Sequence, residues 1–408
     1  FFAFTRRREF QMKFADRMDL VKASGIRFVQ KKIASKSDVI SFAAGLPDGK
    51  LFPVEDLKRL TDEIFEKQGK TALQYGMTQG YKPLLEKLAQ RMKEKEDVSC
   101  TSENLIVTTG SQQGLGMSAM AFVNPGGIVL AENPSYLGGI NACRPYGCSF
   151  LGVDTDDDGI VIEDLEKKLA AHPEINLIYV IPNFQNPTGK AWTLERRKGF
   201  MKAIEPYDLV VVEDNPYGEI RFEGEHLPSL KALDTQEKVI YLGSFSKILC
   251  PGLRVAWVCA KKEIIEKMEL LKQGIDLQCN EMAQMQVLAF LDNCDVEKHI
   301  QTIRDAYKHK CQLMLSEMKK QLPPYVKFTI PEGGMFIWAE LPENIDATAL
   351  LDTAVDHGVA YVPGEYFYAN EEESKKNTMR LNYTIMSDEQ IITGVKRLAE
   401  VIKTVCKD

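Results

Sequence analysis

Leu209-Val210-Val211-Val212-Glu213-Asp214-Asn215-Pro216-Tyr217 sets an apolar run directly against an acidic, turn-forming cluster. A continuous run without alternation is the pattern of a strand buried on both faces, as in a parallel sheet. Runs of the same kind flank it at 105–107, 128–131, 177–181, 239–242 and 255–260, separated by helix-like stretches. Strands alternating with helices in this way predict a doubly wound α/β sheet.

Beyond that region, 261–320 reads as long helices, and Pro323-Pro324 punctuates the chain. Residues 326–341 read as two strands around Pro331-Glu332-Gly333-Gly334. A helix near 346–357, strands near 359–362 and 378–384 and a closing helix from Ser387 complete a smaller α/β domain. Ser387 and Gln390 have the spacing of a capping box. Residues 371–377, rich in charge, read as a solvated loop. The expected division is an N-terminal arm at 1–44, a large domain at 45–285 and a small C-terminal domain at 286–408. In 1–11, aromatics precede a basic cluster, the reverse of a secretory signal. That stretch reads as a leader or cloning remnant ahead of a natural start at Met12.

The 408 residues carry 51 Lys and Arg against 58 Asp and Glu, a net charge of −7. No overall basic field draws in nucleic acid or an anionic membrane, so neither is an expected partner. No apolar run approaches the roughly 20 residues of a membrane span. Nine Cys are scattered without a CxxC pair, which points to a reduced, cytoplasmic protein. His172, His226, His299, His309 and His357 lack ligand spacing, and no metal site is expected.

Ligands of open α/β sheets sit beyond the carboxyl ends of the strands, where helix N-termini converge. Past the apolar runs come Ser111 and Gln112, then Tyr136, Asn186, Asp214 and Tyr217, and finally Ser244, Ser246 and Lys247, with Arg254 close behind. Taken singly, a Ser at a helix start is a cap and Asp214 is a turn residue. Together they answer one chemical need. The N–H groups of Ser111 and Gln112, the hydroxyls of Ser244 and Ser246 and the Arg254 guanidinium suit a phosphate dianion. Lys247 can condense with an aldehyde, its pKa lowered by cationic neighbours. Tyr136 can stack on a planar heterocycle, and Asn186 and Tyr217 can bond a phenolic oxygen on it. Burial would lower a pyridinium pKa by up to about 3–5 units, and a carboxylate such as Asp214 would return about 1–3. The ligand so described is pyridoxal phosphate.

Ser244-Phe245-Ser246-Lys247 with Pro251-Gly252-Leu253-Arg254 resembles the cofactor-lysine signature of the fold-type I pyridoxal-phosphate aminotransferases of class I/II. Asn183-Phe184-Gln185-Asn186-Pro187-Thr188-Gly189 and Glu213-Asp214-Asn215-Pro216-Tyr217 resemble two further segments of that family, in the family's order. Phe42-Ala43-Ala44-Gly45-Leu46-Pro47 and Gly110-Ser111-Gln112-Gln113-Gly114-Leu115 resemble the 2-aminoadipate, kynurenine and aromatic aminotransferase subgroup. The resemblance implies a mostly parallel seven-stranded sheet flanked by helices, with a smaller α/β C-terminal domain. It implies that Lys247 holds the cofactor and moves the substrate proton, with Asp214 and Tyr217 beside it. It also implies that Arg380 binds the substrate α-carboxylate, with Gly45 and Asn186 at the substrate. Tyr75 would reach the phosphate of a neighbouring subunit, giving a homodimer with composite sites. Arg27 would meet a distal substrate carboxylate; the alternative is a surface helix residue.

The expected reaction is ping-pong transfer of the α-amino group from an L-amino acid to a 2-oxo acid, with 2-oxoglutarate as acceptor. Candidate donors are 2-aminoadipate, aromatic and branched-chain amino acids. A β-lyase or decarboxylase on the same fold is the alternative. An aminotransferase-like effector domain of a regulator ranks last, since no recognition helix with a basic face precedes the resembling core.

Overall fold

The apolar runs assemble into one sheet of seven strands: β1 (Leu105–Thr109), β2 (Ile128–Asn133), β3 (Ser149–Asp154), β4 (Leu177–Val180), β5 (Val210–Asn215), β6 (Val239–Ser244) and β7 (Val255–Cys259). This is a computed structural model, and it describes residues 12–21, 25–34, 36 and 38–405. The leader expected at 1–11 lies outside the described residues. The strand order is β1-β7-β6-β5-β4-β2-β3. Strand β7 runs antiparallel to both its neighbours, and every other pair is parallel. The strand that the apolar runs did not reveal is β3. It lies at the edge of the sheet, exposes Ser149 and Asp154 and carries Gly152 in its middle, so its apolar content is broken.

Both faces of the sheet are covered, which is why the runs are continuous rather than alternating. Ile178, Val180 and Val211 enter a core shared with Leu165 and Phe200, on the helices Ile162–Ala171 and Leu194–Ile204. Leu177, Tyr179 and Val212 enter another core with Leu115 and Ile140, on the helices Ser111–Phe122 and Leu137–Cys143. Strand side chains alternate between faces. Asp214 therefore shares the face of Val212, and Glu213 that of Val211.

A second, antiparallel sheet contains β8 (Lys327–Phe328), β9 (Phe336–Glu340), β10 (Val362–Pro363) and β11 (Thr378–Asn382), in the order β10-β11-β9-β8. The helices Val296–Gln321, Ala347–Asp356 and Asp388–Val405 follow the expected sequence. The last begins on a capping box, with Ser387 N–H donating to Gln390 Oε1 (2.9 Å) and Gln390 N–H to Ser387 Oγ (3.2 Å). Ile40–Ser41 pairs in parallel with Val359–Ala360, tying the segment ahead of the large sheet to this region.

The charged stretch at 371–377 is solvated at Glu372, Glu373, Lys375 and Lys376, as expected, and is tied down at two points. Asn133 donates to Glu373 at 3.0 Å, and the buried Asn377 donates to the Leu341 carbonyl at 2.6 Å. No helix among the described residues is long and apolar enough to cross a membrane.

Candidate active site

The carboxyl ends of β4, β5 and β6 and the head of helix Ser111–Phe122 border one cleft of about 310 Å³. At one pole, Gly110 holds φ +74° ahead of the helix, and Arg254 holds φ +56°. A Cβ at Gly110 would fall 2.0 Å from Arg254 Nη2, so only bare backbone lets the guanidinium lie against this turn. The Ser111 and Gln112 N–H groups open a helix and have no intrahelical acceptor. Ser244 Oγ donates to Ser246 Oγ (2.9 Å) and accepts from the Ser246 N–H (3.1 Å). The Ser111 Oγ is buried without a partner. These groups form a cradle of donors.

Tyr136, Asn186, Asp214 and Tyr217 line the next part of the cleft. Tyr217 meets Phe336 edge-on, with ring centroids 6.1 Å apart. Burial raises the phenol pKa values of Tyr136 and Tyr217, keeping both hydroxyls protonated as donors. Burial also pushes the Asp214 carboxyl up to about 7, opposed by a hydrogen bond from Tyr179. The Tyr179 hydroxyl donates to Asp214 Oδ2 at 3.1 Å, while Asp214 Oδ1 is buried without a partner.

Lys247 Nζ donates to the Gly45 carbonyl at 3.3 Å. Burial, then Arg380 and Arg254, lower its pKa to about 8, bringing the neutral amine within reach of neutral pH. Arg380 on β11 is fully buried, with Nη1 donating to Asn186 Oδ1 (2.8 Å) and Nη2 to the Ala43 carbonyl (2.9 Å). Its guanidinium lies over Phe336 (4.3 Å) and Phe367 (5.0 Å), and its Nε has no partner. Burial lowers its pKa to about 10, which leaves it a cation at neutral pH.

The cleft therefore gathers Gly45, Ser111, Gln112, Tyr136, Asn186 and Asp214, together with Tyr217, Ser244, Ser246, Lys247, Arg254 and Arg380. Arg27 is not in the lining of this cleft, and neither is Tyr75, whose expected place is the phosphate of a neighbouring subunit. Tyr75 is 78% exposed on a loop between the helices Val54–Ala72 and Lys82–Glu96. Arg27 is exposed on the helix Gly25–Ile33, and Gln30 of that helix lines the cleft instead. A short helix in an arm has no fixed rotational phase readable from sequence. Sequence reasoning also missed Tyr179, counted as an apolar strand residue, and Phe367, the second ring against Arg380.

Pyridoxal phosphate fits this donor set. The cradle suits a dianion, the free Asp214 Oδ1 suits a protonated ring nitrogen, and the Lys247 amine suits an aldehyde.

Residues 37–398 match the family described as aminotransferase class I and II. The chain is 43% identical to aromatic-amino-acid aminotransferase 1 of Thermococcus litoralis, over 97% of this chain and 95% of that protein. It is 39% identical to the 2-aminoadipate transaminase of Thermus thermophilus, over 94% of each. The crystal structure of Pyrococcus horikoshii kynurenine aminotransferase, in complex with PMP, superposes with a TM-score of 0.92 at 42% identity, covering 97% of this chain and 98% of that one. With this fold and a match over most of its length, the chain belongs to the class I and II aminotransferases, the pyridoxal-phosphate-dependent family that its motifs resemble.

Proposed function

We propose that this aminotransferase moves the α-amino group of an L-amino acid to a 2-oxo acid, 2-oxoglutarate, in a ping-pong cycle. The observation that carries the reading is the convergence of Lys247, Asp214 and Arg380 on one cleft. Bound pyridoxal phosphate supplies a reversible electron sink and a carrier for the amino group. Lys247 takes the proton from the substrate α-carbon and returns it, since its lowered pKa keeps a fraction of the amine neutral. Arg380 receives the α-carboxylate in its planar fork, and its aromatic neighbours and Asn186 hold that fork in place. Ser111, Gln112, Ser244, Ser246 and Arg254 hold the phosphate, and Tyr136, Asn186 and Tyr217 orient the ring.

The relatives' names support acidic and aromatic donors, 2-aminoadipate among them. Arg27 lies three residues before Gln30 on the arm helix, and a roll of that helix brings it towards a distal carboxylate. A second copy of the chain covers the loop where Leu73, Tyr75 and Met77 are 74%, 78% and 67% exposed. Tyr75 then completes the partner's phosphate cradle. The same reading treats 45–285 and 286–408 as large and small domains, and sets the protein in a reducing cytoplasm where its cysteines stay thiols.

A donor panel with 2-oxoglutarate tests this. Turnover requires the acceptor, falls about 10³-fold or more in Lys247→Ala, and in Arg27→Ala falls more for 2-aminoadipate and glutamate than for leucine or phenylalanine. Ammonia and pyruvate released without acceptor would replace the reading with a lyase, and equal donor losses would remove Arg27 from selectivity.

A further inference from the structure

We propose that Tyr179 is a positioning residue for Asp214: its phenol ties down Oδ2 and leaves Oδ1 as the oxygen that the cofactor ring nitrogen addresses. The proposal rests on the cofactor reading given above. Tyr179 sits beside Val212 in the β4–β5 register, two residues from Asp214, so alternation puts both side chains on the same face. Its hydroxyl meets Oδ2 at 3.1 Å, and Oδ1 has no partner. The ring has nowhere else to go. It packs against Gly139, where a Cβ would fall 2.3 Å from Tyr179 Cε1, and it is 2% exposed.

Two physical effects follow from this contact. An untethered carboxylate rotates about its last torsion, which is broad and roughly two-fold, and presents either oxygen. The phenol removes that freedom. It also favours the anion, because a hydrogen bond to the charged form opposes the burial that pushes this carboxyl up. A neutral acid at this position would offer a proton to a nitrogen that already carries one, and the pairing would fail. Tyr179 thus acts on the ring nitrogen through Asp214, without touching substrate.

The test uses holoenzyme loaded with pyridoxal phosphate carrying nitrogen-15 in its ring, whose chemical shift reports protonation. In the parent, the ring nitrogen stays protonated across about pH 6 to 9. In Tyr179→Phe the protonation midpoint falls by about one to two units, the worth of one hydrogen bond to a charged group. Turnover falls about tenfold with KM within about two-fold. A variant with 3-fluorotyrosine at 179, a donor of nearly the same shape, restores the parental titration and turnover. A parental titration in Tyr179→Phe, or no rescue by fluorotyrosine, would overturn the proposal. Asp214→Asn separates the two levels of the argument. If its ring nitrogen is as protonated as the parent's, the reading of Asp214 itself fails, and the role of Tyr179 fails with it. If Asp214→Asn loses the proton while Tyr179→Phe keeps it, only the role of Tyr179 fails.

Discussion

Glu213 and Asp214 stand side by side on β5, one on each face of the sheet, and both are buried. Behind the sheet, Glu213 Oε1 accepts the Leu230 N–H and Oε2 the Lys231 N–H, each at 2.9 Å. Its carboxylate caps the short helix Leu230–Leu233 and both oxygens are engaged. On the cleft side, Asp214 has Tyr179 on one oxygen and nothing on the other. Two buried arginines repeat the contrast. Arg197 directs its donors to the carbonyls of Trp192, Pro228 and Pro182 and to Asn183 Oδ1, whereas Arg380 keeps a free Nε beside the cleft. A buried ion costs desolvation, and full pairing makes it a structural part of the fold. An incompletely paired one at a cleft is a group waiting for a ligand's opposite charge.

Isosteric replacement of the two carboxylates would break this comparison most severely. Asp214→Asn should lower kcat by about 10²–10³-fold, the scale for removing one preorganised electrostatic contact. Urea stability of the apoprotein should hold or rise, because an unpaired buried charge has gone. Glu213→Gln turns an amide N–H towards a backbone N–H. It should cost about 1–3 kcal/mol of stability while folded enzyme keeps its kcat. Urea titrations beside steady-state kinetics check both, and a kcat loss shared equally by the two variants would end the distinction.

The arginines sharpen it at a lower amplitude. Arg380→Lys keeps the charge but loses the planar fork, so KM for the amino donor should rise about 10–100-fold. Arg197→Lys should leave KM alone and lower stability by about 1–3 kcal/mol, because carbonyls held by its fork lose their donors. The KM values, measured at saturating 2-oxo acid, decide the matter.

How much of this was legible depends on what each residue must do alone. Asp214 and Lys247 come just after apolar runs, so a strand-by-strand reading places them on one edge; Arg254 stands just before the run 255–260 and reaches the same edge because β7 is antiparallel to its neighbours. Tyr179 was hidden inside such a run, where a tyrosine counts as apolar filler and its hydroxyl gives no periodic signal. Strand β3 was hidden because an edge position needs only part of its surface buried. Gln30 replaced Arg27 in the cleft lining because a helix of nine residues presents several polar side chains, and only packing selects one. Tyr75 projects from its own chain, and its expected role needs a second copy that one sequence cannot display.

Glu96 gives the smallest effect on turnover and the finest test of the contrast. It ends the helix Lys82–Glu96 near Glu213, accepts from the Tyr241 hydroxyl (3.0 Å) and Asn215 Nδ2 (3.3 Å) on Oε1, and has no partner on Oε2. A free oxygen alone therefore does not make a site. Burial, and then the neighbouring charge of Glu213, push its carboxyl up to about 8, so at neutral pH Glu96 holds a proton, away from the lining of the cofactor cleft. The unfolded chain releases that proton near 4.5 and the folded chain near 8. Between those values the folded state binds the extra proton, so stability is full below 4.5 and is lost as pH rises towards 8. Glu96→Gln fixes the neutral form and should flatten that decline without changing kcat at neutral pH. Urea-unfolding free energies across the window provide the measurement. A variant as pH-dependent as its parent would mean that Glu96 is already an anion, and the comparison between the two faces would lose its rule.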